Sequence, residues 1–319
     1  MMHGAQPILC LSGADVDRLV NPARAIEALA EGFQALSRGE VQAPARPMIE
    51  VPGKGVSLAM LAYAPGQMIT LKNVGVFHGN HGLGIASHQA LVALFDAVTG
   101  VPVAIIDGAS VTAIRTAAAA ALTVRELARP DARIVTVVGA GVLAREHVRT
   151  LAHARPFTEI RVFARSGEAA RLAAALSATA VVAIDLEAAI RSSDVVCLTT
   201  SSDKPVIAAD WVQPGTHVTS VGYAPPGSEV PTDLINRADL FVEAMNAFQP
   251  APVGCAELAG RPANGAEIGE VLLGRKPGRT SAEQLTLYKS MGNAMEDMVV
   301  ANLVYAEAKR LGLGQTVVF

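Results

Sequence analysis

The chain has 319 residues, about two domains on a prior of ~150 residues each, and its 51% hydrophobic but only 4% aromatic content means cores built from Ala, Val, Leu and Ile. A formal net charge of -3, from 26 Lys and Arg against 29 Asp and Glu, excludes general attraction to nucleic acid or anionic membrane, so any anion site must be local. The separated Cys10, Cys197 and Cys255 form neither a metal set nor a disulfide framework, and Cys197 in "DVVCLTT" reads as a small buried hydrophobe. No leading segment has the basic and apolar regions of a signal peptide, and no run reaches the ~18 apolar residues of a membrane span. The nearest, "TAIRTAAAAALTV", is broken by Arg115. A soluble, cytoplasmic, reduced protein is expected.

In chain order, residues 21–39 predict a helix. Asn21 caps it, Pro22 takes the first helical position, and Ile26, Leu29, Phe33 and Leu36 form one stripe before Gly39. From Ala45 to Asp107, short apolar runs punctuated by Gly, Pro and Asn predict an antiparallel or mixed sheet. An Ala-rich helix follows over 112–128 and stops before Pro130. The rhythm then alternates: strand 133–138, helix 142–153, strand 159–164, helix 167–177, strand 180–184, short helix 186–191 and strand 194–200. "THVTSVG" and "DLFVEA" add later strands. This is the pattern of an α/β fold with a Rossmann-type doubly wound parallel sheet, beside a smaller α+β domain for substrate and dimerisation. The segment from Ser281 to Gly312 reads as largely helical and returns to the first domain. The expected domains are residues 1–116 with 296–319, and residues 117–295.

Gly139, Ala140, Gly141, Val142, Leu143 and Ala144 fit G-x-G-x-x-A between a strand and a helix. The first glycine permits the tight turn, the second lets a pyrophosphate approach the backbone, and Ala144 allows close helix–strand packing. The helix N-terminus then offers free N–H groups to phosphate. An NAD site usually places an acid at the end of the next strand, but "IRVFARSG" has Arg165 and Ser166 there. A guanidinium suits a 2′-phosphate, so NADP(H) is favoured, with NAD(H) as the alternative. Thr200, at the end of the 194–200 run, is grouped with the cofactor residues.

Arg46, Lys72 and Arg115 stand in apolar or small-residue settings. A buried cation needs an anionic partner, which either a substrate carboxylate or an internal acid would supply. His78, His81 and His88 in "FHGNHGLGIASH" have no acid or cysteine among them and read as a glycine-rich loop rather than a metal site, with His88 near the substrate. Glu146 and His147 read as residues lining the first nucleotide-domain helix.

"LKNVGVFHGN", "HQALVALFDAVTGVPVAIIDGASVTAIRTAAAAAL", "VVGAGVLAREHV" and "YKSMGNAMEDMVVA" together resemble signatures of the ornithine cyclodeaminase/mu-crystallin family, in the same order and over nearly the whole chain. The resemblance implies a homodimer. It implies that Arg46, Lys72 and Arg115 bind the substrate carboxylate and the neighbouring imine or amine. Thr112 and the stretch Ser290 to Gly292 would lie near the nicotinamide. Family members transfer hydride between nicotinamide C4 and the α-carbon of an amino or imino acid.

The chain departs from the cyclodeaminases at one point. They carry an aspartate in a "GGDxPGKxE"-like stretch, where it handles the substrate's amine protons. Here the stretch is "SVGYAPPGSEVP", with Tyr223 at that position and Glu229 matching the later acid. The resemblance therefore implies a reductase of ketimine carboxylates, such as Δ1-pyrroline-2-carboxylate or Δ1-piperideine-2-carboxylate, with Lys72 and Tyr223 as the candidate catalytic residues. The alternatives are an NAD-dependent ornithine cyclodeaminase and a non-catalytic, NADPH-regulated binding protein. The expected partner is a small imino or amino acid, with no metal, nucleic acid or membrane.

Overall fold

The computed structural model describes residues 6–251 and 253–318. The chain divides into two compact units, Met1–Arg115 with Asn293–Phe319, and Thr116–Gly292.

The first unit opens with strand β1 (Pro7–Leu11) and helix α1 (Gly13–Leu19). Neither was read from the sequence, although Ser12 and Asp15 form a reciprocal capping box that starts α1. Helix α2 (Pro22–Ser37) begins where expected, with Asn21 accepting from the Ala23 amide. Its buried Ile26, Leu29 and Phe33 face the core. Strands β2 (Met48–Val51), β3 (Gly55–Ala62), β4 (Ile69–Val76), β5 (His88–Phe95) and β6 (Pro102–Asp107) make an antiparallel meander. Strand β6 runs directly into helix α3 (Gly108–Leu127), which starts four residues before the expected 112 because the Asp107 carboxylate accepts the Ser110 amide.

The second unit alternates strand and helix. Its elements are β7 (Ile134–Val138), α4 (Val142–Ala154), β8 (Glu159–Phe163), α5 (Gly167–Ala174), β9 (Ala180–Val182), α6 (Leu186–Arg191), β10 (Val195–Leu198) and β11 (His217–Ser220). They are followed by α7 (Thr232–Arg237), β12 (Asp239–Val242), β13 (Ala266–Glu267), α8 (Ile268–Leu272) and β14 (Thr286–Lys289). Among the described residues the sheet order is β13-β12-β14-β11-β10-β7-β8-β9, and every pairing is parallel. Alternate residues of each strand feed opposite faces. Thus Val195 and Cys197 pack in one core with α4 and α5, while Val196 and Leu198 pack in a second core with α7. Burial pushes the Cys197 thiol up to about 12, as befits a hydrophobe rather than a reactive thiol. The C-terminal carbonyls of α3 are collected by Arg155, which donates to the oxygens of Val124, Arg125, Ala128, Arg129 and Pro130. A guanidinium there satisfies orphan acceptors and opposes the negative end of the helix dipole.

The chain then returns to the first unit as helix α9 (Ala294–Leu311) and strand β15 (Gln315–Val318). Helix α9 lies on α2 and on β3, β4 and β5, and β15 pairs antiparallel with β1. The sheet order is β15-β1-β6-β5-β4-β3-β2, mixed because β1 and β6 are parallel. The segment from Ser281 is thus helical only from Ala294, since its "TLYK" is the buried strand β14. Among the described residues no helix is long and apolar enough to cross a membrane.

Candidate functional site

The glycine turn joins β7 to α4 at the carboxyl edge of the parallel sheet. Gly139 has φ +125°, and a Cβ there would lie 2.5 Å from the Thr199 hydroxyl, so only glycine fits. Gly141 differs: its φ is -74° and no atom lies within 4 Å of an added Cβ. It opens a 13-residue helix whose first turn has no side-chain cap, while Ala144 is fully buried against the strands. An uncapped N-terminus beside open space, approached by glycine backbone, fits a pyrophosphate.

After β8, Arg165 is exposed. Ser166 caps α5 by accepting from the Ala169 amide at 3.3 Å, which leaves its O–H as a donor. Thr200 follows β10, and both its amide and its hydroxyl donate to Glu229, at 2.7 Å each. Ser290 follows β14 and donates to Glu243 at 2.6 Å, as does the Gly292 amide at 2.9 Å. Tyr223 is half-buried in the turn after Gly222. Glu229, the later acid of that stretch, is 2% exposed and also accepts from Ser220 Oγ and the Gly222 amide. Both of its oxygens are therefore committed. On α4, Glu146 pairs with Arg149, and buried His147 donates from Nδ1 to the Leu143 carbonyl. Burial lowers His147 to about 4, so the ring is neutral at pH 7.

The first unit holds a buried charge cluster. Lys72 on β4 is 1% exposed, and its Nζ lies 2.6 Å from Asp297 Oδ2 and 3.3 Å from Thr112 Oγ1. Arg115 on α3 pairs with Glu296 at 2.6 Å and with Asp297 at 3.4 Å. Glu296 and Asp297 sit in the first turn of α9, where Glu296 and Asn293 form a capping box. Thr112 donates to the Gly108 carbonyl at 2.7 Å and accepts from Lys72. Burial pushes Lys72 down to about 8, opposed by Asp297 and reinforced by Arg115. Lys72, Thr112 and Arg115 thus converge, and the protein's own acids supply the anions that Lys72 and Arg115 require. Their burial alone is therefore no sign of a substrate carboxylate. The acidic doublet was missed, although its signal, an Asn three residues before a Glu at the head of an apolar helix, was present.

Arg46 is half-buried in the segment before β2. His88, the first residue of β5, is exposed with Nδ1 3.2 Å from Ser87 Oγ. The backbones of His78 and His81 lie in a short 3-10 turn, and their side chains fall outside the described residues.

A parallel doubly wound sheet with a glycine turn at its carboxyl edge, joined in one chain to a mixed-sheet unit with a buried Lys–Asp–Arg–Glu cluster, defines a Rossmann-type dinucleotide-binding protein. The sequence model of the ornithine cyclodeaminase/mu-crystallin family matches residues 8–311, and the chain belongs to that family. The ketimine reductase mu-crystallin of Mus musculus is 33% identical over 284 residues, 88% of this chain and 90% of the relative. The structure of Thermococcus litoralis Δ1-pyrroline-2-carboxylate reductase with NADH and L-proline superposes with a TM-score of 0.90 at 28% identity, covering 97% of this chain and 100% of that one. An archaeal alanine dehydrogenase dimer with bound NAD gives 0.86 at 29% identity, over 98% of this chain and 100% of that one.

Proposed function

We propose that the protein is an NADPH-dependent reductase of cyclic ketimine carboxylates, giving the L-amino acid. The observation that carries this reading is the joint occurrence of the uncapped glycine turn and the Lys72–Thr112–Arg115 cluster in a chain whose relatives reduce imines. When bound, the dinucleotide supplies hydride from C4 of its nicotinamide. Gly139 to Ala144 hold the pyrophosphate, and Arg165 with the Ser166 hydroxyl receives the 2′-phosphate. Thr200, Ser290 and Gly292 line the nicotinamide's surroundings. Arg46 and Arg115 fix the substrate carboxylate, and the buried cations orient it in place of water. Lys72, with a pKa of about 8, keeps its proton at neutral pH and donates it toward the imine nitrogen.

The cyclodeaminase alternative needs a group that takes and returns amine protons. Tyr223 stands where that carboxylate would be, and Glu229 is occupied by four donors. A second copy of the chain is proposed to cover the outer face of the first unit's sheet. There Leu61, Leu71, Ala93 and Ile105 form an apolar row across β3 to β6; Leu61 is 41% exposed, and Leu91, on the same face of β5, is 49% exposed. The activity is tested by NADPH consumption over a panel of cyclic and acyclic imino carboxylates. Turnover of a five- or six-membered cyclic ketimine is expected, and no turnover of any member despite tight NADPH binding would favour the non-catalytic alternative.

Cofactor choice is expected to depend on Arg165. A charge-assisted contact to the 2′-phosphate contributes about 1.5–3 kcal/mol, or roughly tenfold to a hundredfold in affinity. Arg165→Asp should therefore shift the ratio of NADPH to NADH affinity toward NADH by that factor, read by titration of both. A wild type that already prefers NADH contradicts the assignment.

A further inference from the structure

We infer that Glu229 and Glu243 are positioning residues that tie neighbouring strand ends of the parallel sheet into one polar belt, on which the nicotinamide half of the dinucleotide rests. This inference rests on the dinucleotide reading above. The belt follows the strand order. Thr200 continues β10 and Gly222 follows β11, and Glu229 joins them. Its Oε2 accepts from the Thr200 amide and hydroxyl, and its Oε1 from Ser220 Oγ and the Gly222 amide, all at 2.7–2.9 Å. Lys289, the last residue of β14, joins that strand to β11 by donating to the Gly222 carbonyl at 2.5 Å, and it pairs with Glu257 at 3.0 Å. Burial works against the Lys289 charge, but Glu257, Cys255 and Glu229 together more than offset it, and its pKa lies above the ordinary value. Glu243, just after β12, closes the belt. Its Oε1 accepts from Ser290 Oγ and the Gly292 amide, and its Oε2 lies 3.3 Å from the Met291 amide.

The packing leaves little slack. A Cβ on Gly222 would lie 2.5 Å from the Thr200 carbonyl and 2.7 Å from Glu229 Cδ. Both acids are almost wholly buried, Glu229 at 2% and Glu243 at 1% exposure. Neither is placed to exchange protons with a substrate. Each instead presents two acceptor atoms to converging N–H and O–H donors, a demand that a carboxylate meets and an amide cannot. In Glu229→Gln, whichever way the amide turns, its NH2 faces two donors. The Thr200 and Gly222 strand ends would separate in Glu229→Gln, and Ser290 to Gly292 would come loose in Glu243→Gln, while the glycine turn and Arg165, at other strand ends, would keep their places.

The test compares whole dinucleotides with the same molecules lacking nicotinamide: NADPH against 2′-phospho-ADP-ribose, and NADH against ADP-ribose, titrated on wild type, Glu229→Gln and Glu243→Gln. The inference predicts an affinity loss of about tenfold or more for the whole dinucleotide and under about twofold for the truncated one. Equal losses for both probes, or no loss for either, would overturn it. If a glutamine variant does not fold, Ser220→Ala decides. It removes one donor to Glu229, and a loss of about threefold confined to the whole dinucleotide is expected. A wild type that binds none of the four probes would overturn the dinucleotide reading itself.

Discussion

Replacing Arg115 by alanine is expected to lower stability by about 3–5 kcal/mol, because removing one partner of a buried ion pair leaves the other charge stranded. Arg115 is 7% exposed, and Glu296 and Asp297, its partners, are 0% and 1% exposed. Denaturant unfolding measures the loss. Adding Glu296→Gln to Arg115→Ala should recover part of it, since the stranded carboxylate is then gone. A loss below about 1 kcal/mol would be that of an exposed pair and would contradict the buried cluster. Arg115→Lys separates stability from function. An ammonium can still neutralise Glu296 but loses the planar two-point geometry for a carboxylate, so substrate capture should fall far more than stability. Dinucleotide affinity should hold in all three variants, because the glycine turn belongs to the other unit.

The two glycines of the proposed phosphate turn should respond in opposite ways. Gly139→Ala places a side chain at φ +125° and 2.5 Å from Thr199 Oγ1, so it should destabilise the second unit. Strain of this kind costs on the order of 1–3 kcal/mol before the clash is counted. Gly141→Ala meets no protein atom within 4 Å and has an ordinary φ of -74°. Its methyl group would instead stand where the pyrophosphate approaches. Stability should change by less than about 1 kcal/mol, while dinucleotide affinity falls roughly a hundredfold, about 2.7 kcal/mol. Unchanged affinity in Gly141→Ala, measured by titration with NADPH and NADH, would mean that this turn is not the phosphate site.

The parallel sheet was legible because most of its strands are short apolar runs closed by a turn residue and followed by a helix, and α5 and α6 start at the caps Ser166 and Asp185. Strand β14 escaped because "TLYK" is only four residues long, and its burial on both faces leaves no alternation to read. Strands β1 and β15 support each other across almost the whole chain, a pairing that no local pattern announces. In the site, glycines and basic residues were visible because their chemistry is unusual in apolar surroundings. The acids that hold them were not. Glu243, Glu296 and Asp297 look like ordinary polar residues until the fold buries them, and their roles come from donors as far off in the chain as Lys72 and Arg115; Glu229 was marked only by its place in the family stretch.

Imine reduction by this protein requires that hydride reach the α-carbon of a preformed cyclic imine. Its most direct test is the fate of deuterium from NADPH labelled at nicotinamide C4, incubated with Δ1-piperideine-2-carboxylate and the wild-type protein. Pipecolate carrying deuterium on its α-carbon is the predicted product, and the same protein should release no ammonia from ornithine with NAD+. Unlabelled or absent pipecolate, together with proline and ammonia from ornithine, would contradict the account and place a cyclodeaminase in its stead.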